Sequence, residues 1–160
     1  MSTSLSQAES FSRRLSPVGK TGMLTGLRVV EVADEAAEYV GLVLAGLGAE
    51  VIKIEPPEGS PTRAIGPFVG DQPGPDRSLF FMNYNRGKQS VVLDAANAAH
   101  REQMLALIAS ADILVDGSNG RLAASLSPGQ SFAERFPRLI NARMTPFGDT
   151  GPWKDRKSVV

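Results

Sequence analysis

The 160-residue chain has no cysteine and a single histidine, His100. Without cysteine, disulfides, thiolate metal sites and cysteine nucleophiles are all excluded. One histidine without a second ligand pattern supports no metal site, and we predict that His100 lies on the surface of a helix. No apolar run approaches the ~20 residues that span a bilayer, so no membrane partner is predicted.

The chain also lacks net charge, since Lys+Arg 17 balances Asp+Glu 17. This balance argues against a bulk attraction to nucleic acid, which we do not expect as a partner. Residues 1–25 are rich in serine and lack the apolar stretch of a secretory signal, and Glu9 argues against an organelle transit peptide. We therefore predict a flexible arm over residues 1–25, a domain over 26–160 and a cytoplasmic location.

Short β-branched runs alternate with helical patterns from residue 27 onward. The hydrophobic spacing predicts helices over residues 34–47 and 95–110, with one or two short helices between 120 and 135. Residues 55–77 are rich in proline and glycine and are predicted to form a long loop. The alternation predicts an α/β fold with a Rossmann-like parallel sheet and flanking helices. The strands are predicted at residues 28–32, 51–54, 90–94, 112–115 and 139–144.

Glycine is missing from the first strand–helix turn, where a dinucleotide-binding fold needs Gly-x-Gly-x-x-Gly. Residues 33–36 read ADEA, and their two carboxylates would repel phosphate, so NAD or FAD binding is not predicted. Residues 83–89 (NYNRGKQ) are more suggestive, because Arg86 and Lys88 flank Gly87 and could contact phosphate. A solvated turn with ordinary surface cations explains the same segment equally well.

Several blocks, taken in order, resemble the N-terminal portion of class III CoA-transferases. This family includes carnitine-CoA transferase, formyl-CoA transferase and the α-methylacyl-CoA racemases. The blocks are residues 48–59 (GAEVIKIEPPEG), 61–63 (PTR), 85–94 (NRGKQSVVLD), 111–116 (ADILVD), 137–140 (PRLI) and 145–152 (TPFGDTGP).

The resemblance implies that the chain is an incomplete, N-terminal part of the family's large domain. Complete relatives add a small domain and form an interlocked homodimer. They transfer CoA between carboxylic acids through an aspartyl intermediate. CoA or acyl-CoA would be the substrate, a carboxylic acid the second reactant, and no cofactor would be covalently bound. The implied CoA contacts are Arg63, Asn85, Arg86 and Lys88, with Glu35 and Ala36 near the acyl thioester.

The sequence departs from the family pattern at two places. The loop at residues 117–120 lacks the lysine or aromatic-Pro-Gly pattern of relatives and leaves Arg121 as the nearby cation. Residues 157–160 (KSVV) stand where relatives continue to the catalytic aspartate, so no catalytic residue is assigned. We therefore expect a truncated chain, inactive alone and with exposed apolar faces, that derives from a fragment or frameshifted gene.

Three alternatives remain open on the sequence. The chain could be an acyl-CoA racemase homologue, a noncatalytic CoA-binding subunit of a heteromeric transferase, or a free-standing nucleotide-binding remnant.

Overall fold

The computed structural model describes residues 22–148, 150–154 and 156. Five parallel strands form one sheet in the order β3-β2-β1-β4-β5. The strands are β1 (Arg28–Val32), β2 (Glu50–Glu55), β3 (Gln89–Val92), β4 (Ile113–Asp116) and β5 (Ile140–Arg143). The helices are α1 (Glu38–Gly46), α2 (Leu79–Asn85), α3 (Ala98–Ser110), α4 (Arg121–Leu126) and α5 (Phe132–Arg135). The predicted Rossmann-like α/β class is confirmed.

The strands match the hydrophobic pattern, whereas the helices depart from it in two places. Helix α1 begins at Glu38 rather than residue 34, because the Ala37 and Glu38 amides both donate to the Asp34 carbonyl and form a turn. Helix α2 is not predicted from the sequence, because its last three residues belong to the polar segment 83–89, whose pattern is typical of a loop or turn. The Ser78 hydroxyl caps this helix by accepting from the Phe81 amide at 3.0 Å.

The sheet buries a different set of side chains on each face. Val30, Ile54 and Leu114 pack against α3, α4 and α5, where Leu107, Ile108, Leu122 and Phe132 are buried. Val29, Val51 and Val115 pack against small residues at the start and end of α1, Ala37, Ala45 and Ala49. The small side chains let α1 lie close to the sheet, and this proximity shapes the polar network described below.

The outer face of α1 carries apolar side chains that the described residues leave exposed. Tyr39 is 61% exposed, Val43 40% and Leu47 39%. Residues 22–25, predicted as part of the arm, form a turn in which the Leu24 amide donates to the Leu47 carbonyl at 2.9 Å. The rest of that arm, residues 1–21, lies outside the described residues. Among the described helices, none has the length and hydrophobicity to cross a bilayer.

Two buried glutamates and two buried lysines form one ion network against α1. The Lys53 Nζ lies 3.3 Å from Glu31 Oε1 and 2.8 Å from Glu38 Oε1. The Lys88 Nζ donates to both Glu31 oxygens, at 2.8 and 2.9 Å, and to the Glu38 carbonyl at 2.9 Å. None of the four side chains is more than 2% exposed. The network therefore joins β1, β2, α1 and the α2–β3 loop with its formal charges balanced.

Gly41 is the point where α1 approaches this network. A Cβ built on Gly41 would lie 1.8 Å from Glu31 Oε2 and 3.1 Å from Lys88 Cε. The carboxylate cannot move away without lengthening its hydrogen bonds to Lys88, so only glycine fits at this position.

We predict that Gly41→Ala lowers the free energy of unfolding by about 1–3 kcal/mol, as expected for overpacking a filled interior. Gly46, in the same helix, is the matched control because a Cβ there would meet nothing within 4 Å. Gly46→Ala should leave stability unchanged or raise it by roughly 0.5 kcal/mol, since alanine is the better helix former. Urea unfolding followed by circular dichroism measures both. Equal effects of the two substitutions would contradict the packing argument.

Candidate functional site

A crevice opens at the carboxyl edge of the sheet, where β1 and β4 lie side by side. The chain runs outward from β1 through β2 to β3 and then returns to β4 and β5 on the other side. The loops after β1 and β4 therefore diverge, and such a switch point is where open α/β sheets bind ligands. The crevice has a volume of about 360 Å³ and is bordered by the ends of β1, β2, β3 and β4.

The inner part of the crevice is apolar. Its wall includes Ile54, Leu93 and Met104, which are each no more than 6% exposed. Pro56 and Pro57 continue this surface toward the solvent. These side chains can cover an aromatic ring or an aliphatic chain but offer it no polar partner.

The rim of the crevice is mostly acidic. Asp34, Glu58 and Asp94 line it together with one cation, Arg121. Asp34 and Asp94 each accept a hydrogen bond from the backbone two residues later, at 3.3 and 2.8 Å. Within the described part of the chain, neither Glu58 nor Arg121 makes a side-chain hydrogen bond or an ion pair. These two exposed groups are therefore free to contact a ligand.

His100 lies behind this rim rather than on the open helix surface that the sequence predicts. It is partly buried, and its Nδ1 accepts from the Asp94 amide at 3.0 Å. The imidazole thus fixes the loop between β3 and α3, a structural contact that the polar neighbours of His100 in the sequence did not reveal.

One wall of the crevice is fixed by Glu55 at the end of β2. Its carboxylate accepts from Arg63 Nε at 2.6 Å, from Arg63 Nη2 at 2.9 Å and from the Ser60 amide at 2.9 Å. The Ser90 hydroxyl donates to the same carboxylate. Burial alone would raise the pKa of Glu55, but hydrogen bonds from Arg63, Ser90 and Ser60 outweigh it and lower the pKa to about 2. Glu55 is therefore ionised and holds Ser60 in the wall.

The loop predicted at residues 55–77 contains two 3₁₀ turns and is fastened to the sheet. These turns span Pro61–Ala64 and Val69–Asp71. Arg63 Nη1 donates to the Pro75 carbonyl at 3.1 Å and to Asp76 Oδ1 at 2.9 Å, and the guanidinium lies 3.8 Å above the Phe81 ring. Arg63 therefore acts as the hub of this loop, which encloses a second cavity of about 400 Å³.

None of the six predicted CoA contacts is among the residues that line the crevice. Arg63 faces Glu55 and the second cavity, as described. Lys88 points into the ion network, and Asn85 supports it by accepting from Lys88 Nζ at 3.0 Å. Arg86 is exposed, donates to the Asn83 carbonyl at 2.8 Å and borders a surface cavity beside α1. Glu35 and Ala36 are exposed in the turn that follows Asp34, next to the crevice rim.

The rim residues Glu58 and Asp94 were not selected from the sequence, and Arg121 was noted only for its charge. A positional rule would have found all three. In a parallel sheet, residues that follow each strand gather at one edge, so the positions after β2, β3 and β4 are site candidates whatever their type. The sequence analysis instead favoured cations, and two of these cations, Arg63 and Lys88, have carboxylate partners inside the fold.

Lys88 and Arg86 allow a test of the difference between a cation that is paired inside the fold and one that is exposed. Burial lowers the pKa of Lys88 against the opposing effect of Glu31, and burial raises the pKa of Glu31 although Lys53 and Lys88 lower it. Lys88→Met would leave the two buried glutamates with one lysine. It should cost about 3–5 kcal/mol of unfolding free energy, the usual consequence of an uncompensated buried charge.

Arg86→Met, two positions away and exposed, should change stability by less than about 0.5 kcal/mol. Urea unfolding at pH 7 compares the two variants with the parent chain. A Lys88→Met variant as stable as Arg86→Met would show that the network does not support the fold.

Glu55 generates a prediction about pH. Its folded pKa of about 2 lies below the ordinary value of 4.5, so its contribution to stability is present above about pH 4.5 and is lost as the pH falls toward 2. Glu55→Gln should therefore be less stable at pH 7 and should lose less of its stability between pH 4.5 and pH 2 than the parent.

Glu58→Gln is the control, because Glu58 is an exposed glutamate of the same loop with no such hydrogen bonds. It should keep the parent's acid dependence when urea midpoints are measured across this range. If Glu55→Gln retained the full acid dependence, the assignment to Glu55 would be wrong.

Comparison with known proteins shows the family of this chain. The family model "CoA-transferase family III" matches residues 24–159. Succinyl-CoA:(R)-benzylsuccinate CoA-transferase subunit BbsE of Thauera aromatica is 39% identical over 128 residues, which are 78% of this chain and 31% of that protein. Acetyl-CoA:oxalate CoA-transferase of Acetobacter aceti is 38% identical over 142 residues, 85% of this chain and 34% of that protein.

The fold agrees with the sequence comparison. A CAIB/BAIF family protein from Brucella suis superposes with a TM-score of 0.76 at 38% identity, covering 86% of this chain and 37% of that structure. This chain thus spans about a third of the length of the relatives it matches. Sequence and structure together show that the chain belongs to CoA-transferase family III.

Proposed function

We propose that this chain supplies part of the CoA-binding surface of a CoA-transferase, with the crevice at the carboxyl edge of the sheet as the nucleotide site. The observation that carries the proposal is the position of the crevice at the switch point between β1 and β4, in a chain of this family. The substrates would be an acyl-CoA and a free carboxylic acid, by analogy with the relatives whose names state such pairs.

The lining of the crevice suits the less polar parts of CoA. Ile54, Leu93 and Met104 would cover the adenine ring or the pantetheine chain and exclude water from it. Arg121, the unpaired cation of the rim, would meet a phosphate as a fork of N–H donors. Glu35 and Ala36, in the adjoining turn, would lie toward the acyl thioester.

The other predicted contacts fall into two groups, one exposed residue and three that bond to other parts of the fold. Arg86 keeps an exposed guanidinium and would reach a phosphate only outside the crevice. Lys88 and Asn85 would support binding indirectly, by fixing α1 against β1. Arg63 would act in the same way through the wall that contains Ser60.

Transfer by the family mechanism would also need the aspartate that forms a mixed anhydride with the acyl group. We propose that the 160-residue chain binds CoA without transferring it alone. A noncatalytic subunit is the second candidate role, and it is favoured by the description of one relative as a subunit. Incubation of the chain with succinyl-CoA and a free carboxylic acid tests whether it binds CoA without transferring it. Formation of a new thioester would refute this proposal.

CoA binding to the full chain can be measured by isothermal titration calorimetry. Ala95 is exposed and lines the crevice, so Ala95→Trp should fill it and weaken CoA binding at least tenfold. Ala99→Trp is the control, because Ala99 is exposed in the first turn of α3 outside the crevice lining, and this variant should bind like the parent. Equal binding by both variants would place the CoA site elsewhere.

A further inference from the structure

We propose that the crevice does not recognise the 3′-phosphate of CoA, so the chain binds CoA no more tightly than dephospho-CoA. The inference rests on the proposed function and specifies which phosphate of CoA the crevice does not recognise. It follows from the charges of the rim and from the partners of the backbone amides around it.

The rim has the wrong charge for an additional phosphate. Among the described residues of the lining, three carboxylates, on Asp34, Glu58 and Asp94, accompany one guanidinium, on Arg121, so their formal charges sum to −2. A phosphate monoester carries about −1.5 to −2 at pH 7, so its approach to this rim is opposed by like charge. Apolar surface from Ile54 and Leu93 cannot offset that repulsion for an ionised group.

The backbone amides that could bind an anion are largely occupied. Helix N-termini are common phosphate sites because their first N–H groups lack partners. Here Asn97 Oδ1 accepts from the first amides of α3, those of Ala99 at 2.9 Å and His100 at 3.3 Å. After β4, the Asp116 carboxylate accepts from the Ser118 amide, and the Ser118 hydroxyl accepts from the Leu122 amide.

Arg121 is the one cation among the described residues of the lining, and its side chain makes no hydrogen bond or ion pair to a described residue. The diphosphate that joins the two halves of CoA is present in both CoA and dephospho-CoA, and a single guanidinium can satisfy it bidentately. The part of the lining that the structure describes then holds no further cation to distinguish the two molecules.

The test is calorimetric titration of the full chain with CoA and with dephospho-CoA in the same buffer. The expected dissociation constant for CoA equals or exceeds that for dephospho-CoA. A preference for CoA of more than about twofold would overturn the inference while leaving the proposed function intact. Failure to bind either molecule would refute the proposed function itself, and this inference with it.

Glu58→Lys tests the charge argument directly, because it changes the rim by two charges at an exposed side chain that makes no ion pair in the described structure. This variant should bind CoA at least about fivefold more tightly than dephospho-CoA. Glu102→Lys makes the same change of net charge at an exposed position of α3 outside the crevice lining and should keep the parent's ratio. An unchanged ratio in Glu58→Lys would refute the charge argument.

Discussion

The buried network of Glu31, Glu38, Lys53 and Lys88 is the constraint on which the N-terminal half of this sheet depends. Its members come from β1, α1, β2 and the α2–β3 loop, and none of these segments could shift without separating charges that water does not reach. Burying four charges is costly, and burial does raise the pKa of Glu31. The network is therefore better understood as fixing the relative positions of four segments than as a large source of stability.

The same network reaches the crevice through Glu38. Its Oε1 accepts from Thr62 at 2.7 Å and from Ser60 at 3.2 Å, so the helix that covers the network also holds the loop that forms the crevice wall. Ser60 is bound a second time, through its amide, to Glu55. Ser60 is thus held by two carboxylates, since its hydroxyl bonds to Glu38 and its amide donates to Glu55. A substitution of either glutamate should therefore shift the wall of the crevice, although neither glutamate lines it.

The five strands of the sheet could be predicted from the sequence. Parallel strands are typically short runs of β-branched residues, and turn residues on either side mark their ends. The sequence failed at α2, whose seven residues lack a clear apolar period and depend on the Ser78 cap. It also left the partners of the cations unknown, because nothing in the local sequence shows that Lys88 will meet Glu31, which lies 57 positions away. Ion pairs between residues far apart in the sequence are determined by the fold. The partners of a charged residue are therefore the part of a site that is hardest to predict from the sequence.

The chain is neutral as a whole, but the fold separates its charges unevenly. Lys53, Lys88 and Arg63 are paired with buried carboxylates, while unburied acids and Arg121 are left around the crevice. A family that binds a phosphate-rich substrate would ordinarily be expected to present cations at this edge. Because Lys53, Lys88 and Arg63 instead support the fold, the proposed affinity of the crevice for CoA would come mainly from apolar contact with its inner wall. A phosphate contact with Arg121 at the rim would add to it. The internal ion network and the acidic character of the crevice are then two results of the same distribution of charge.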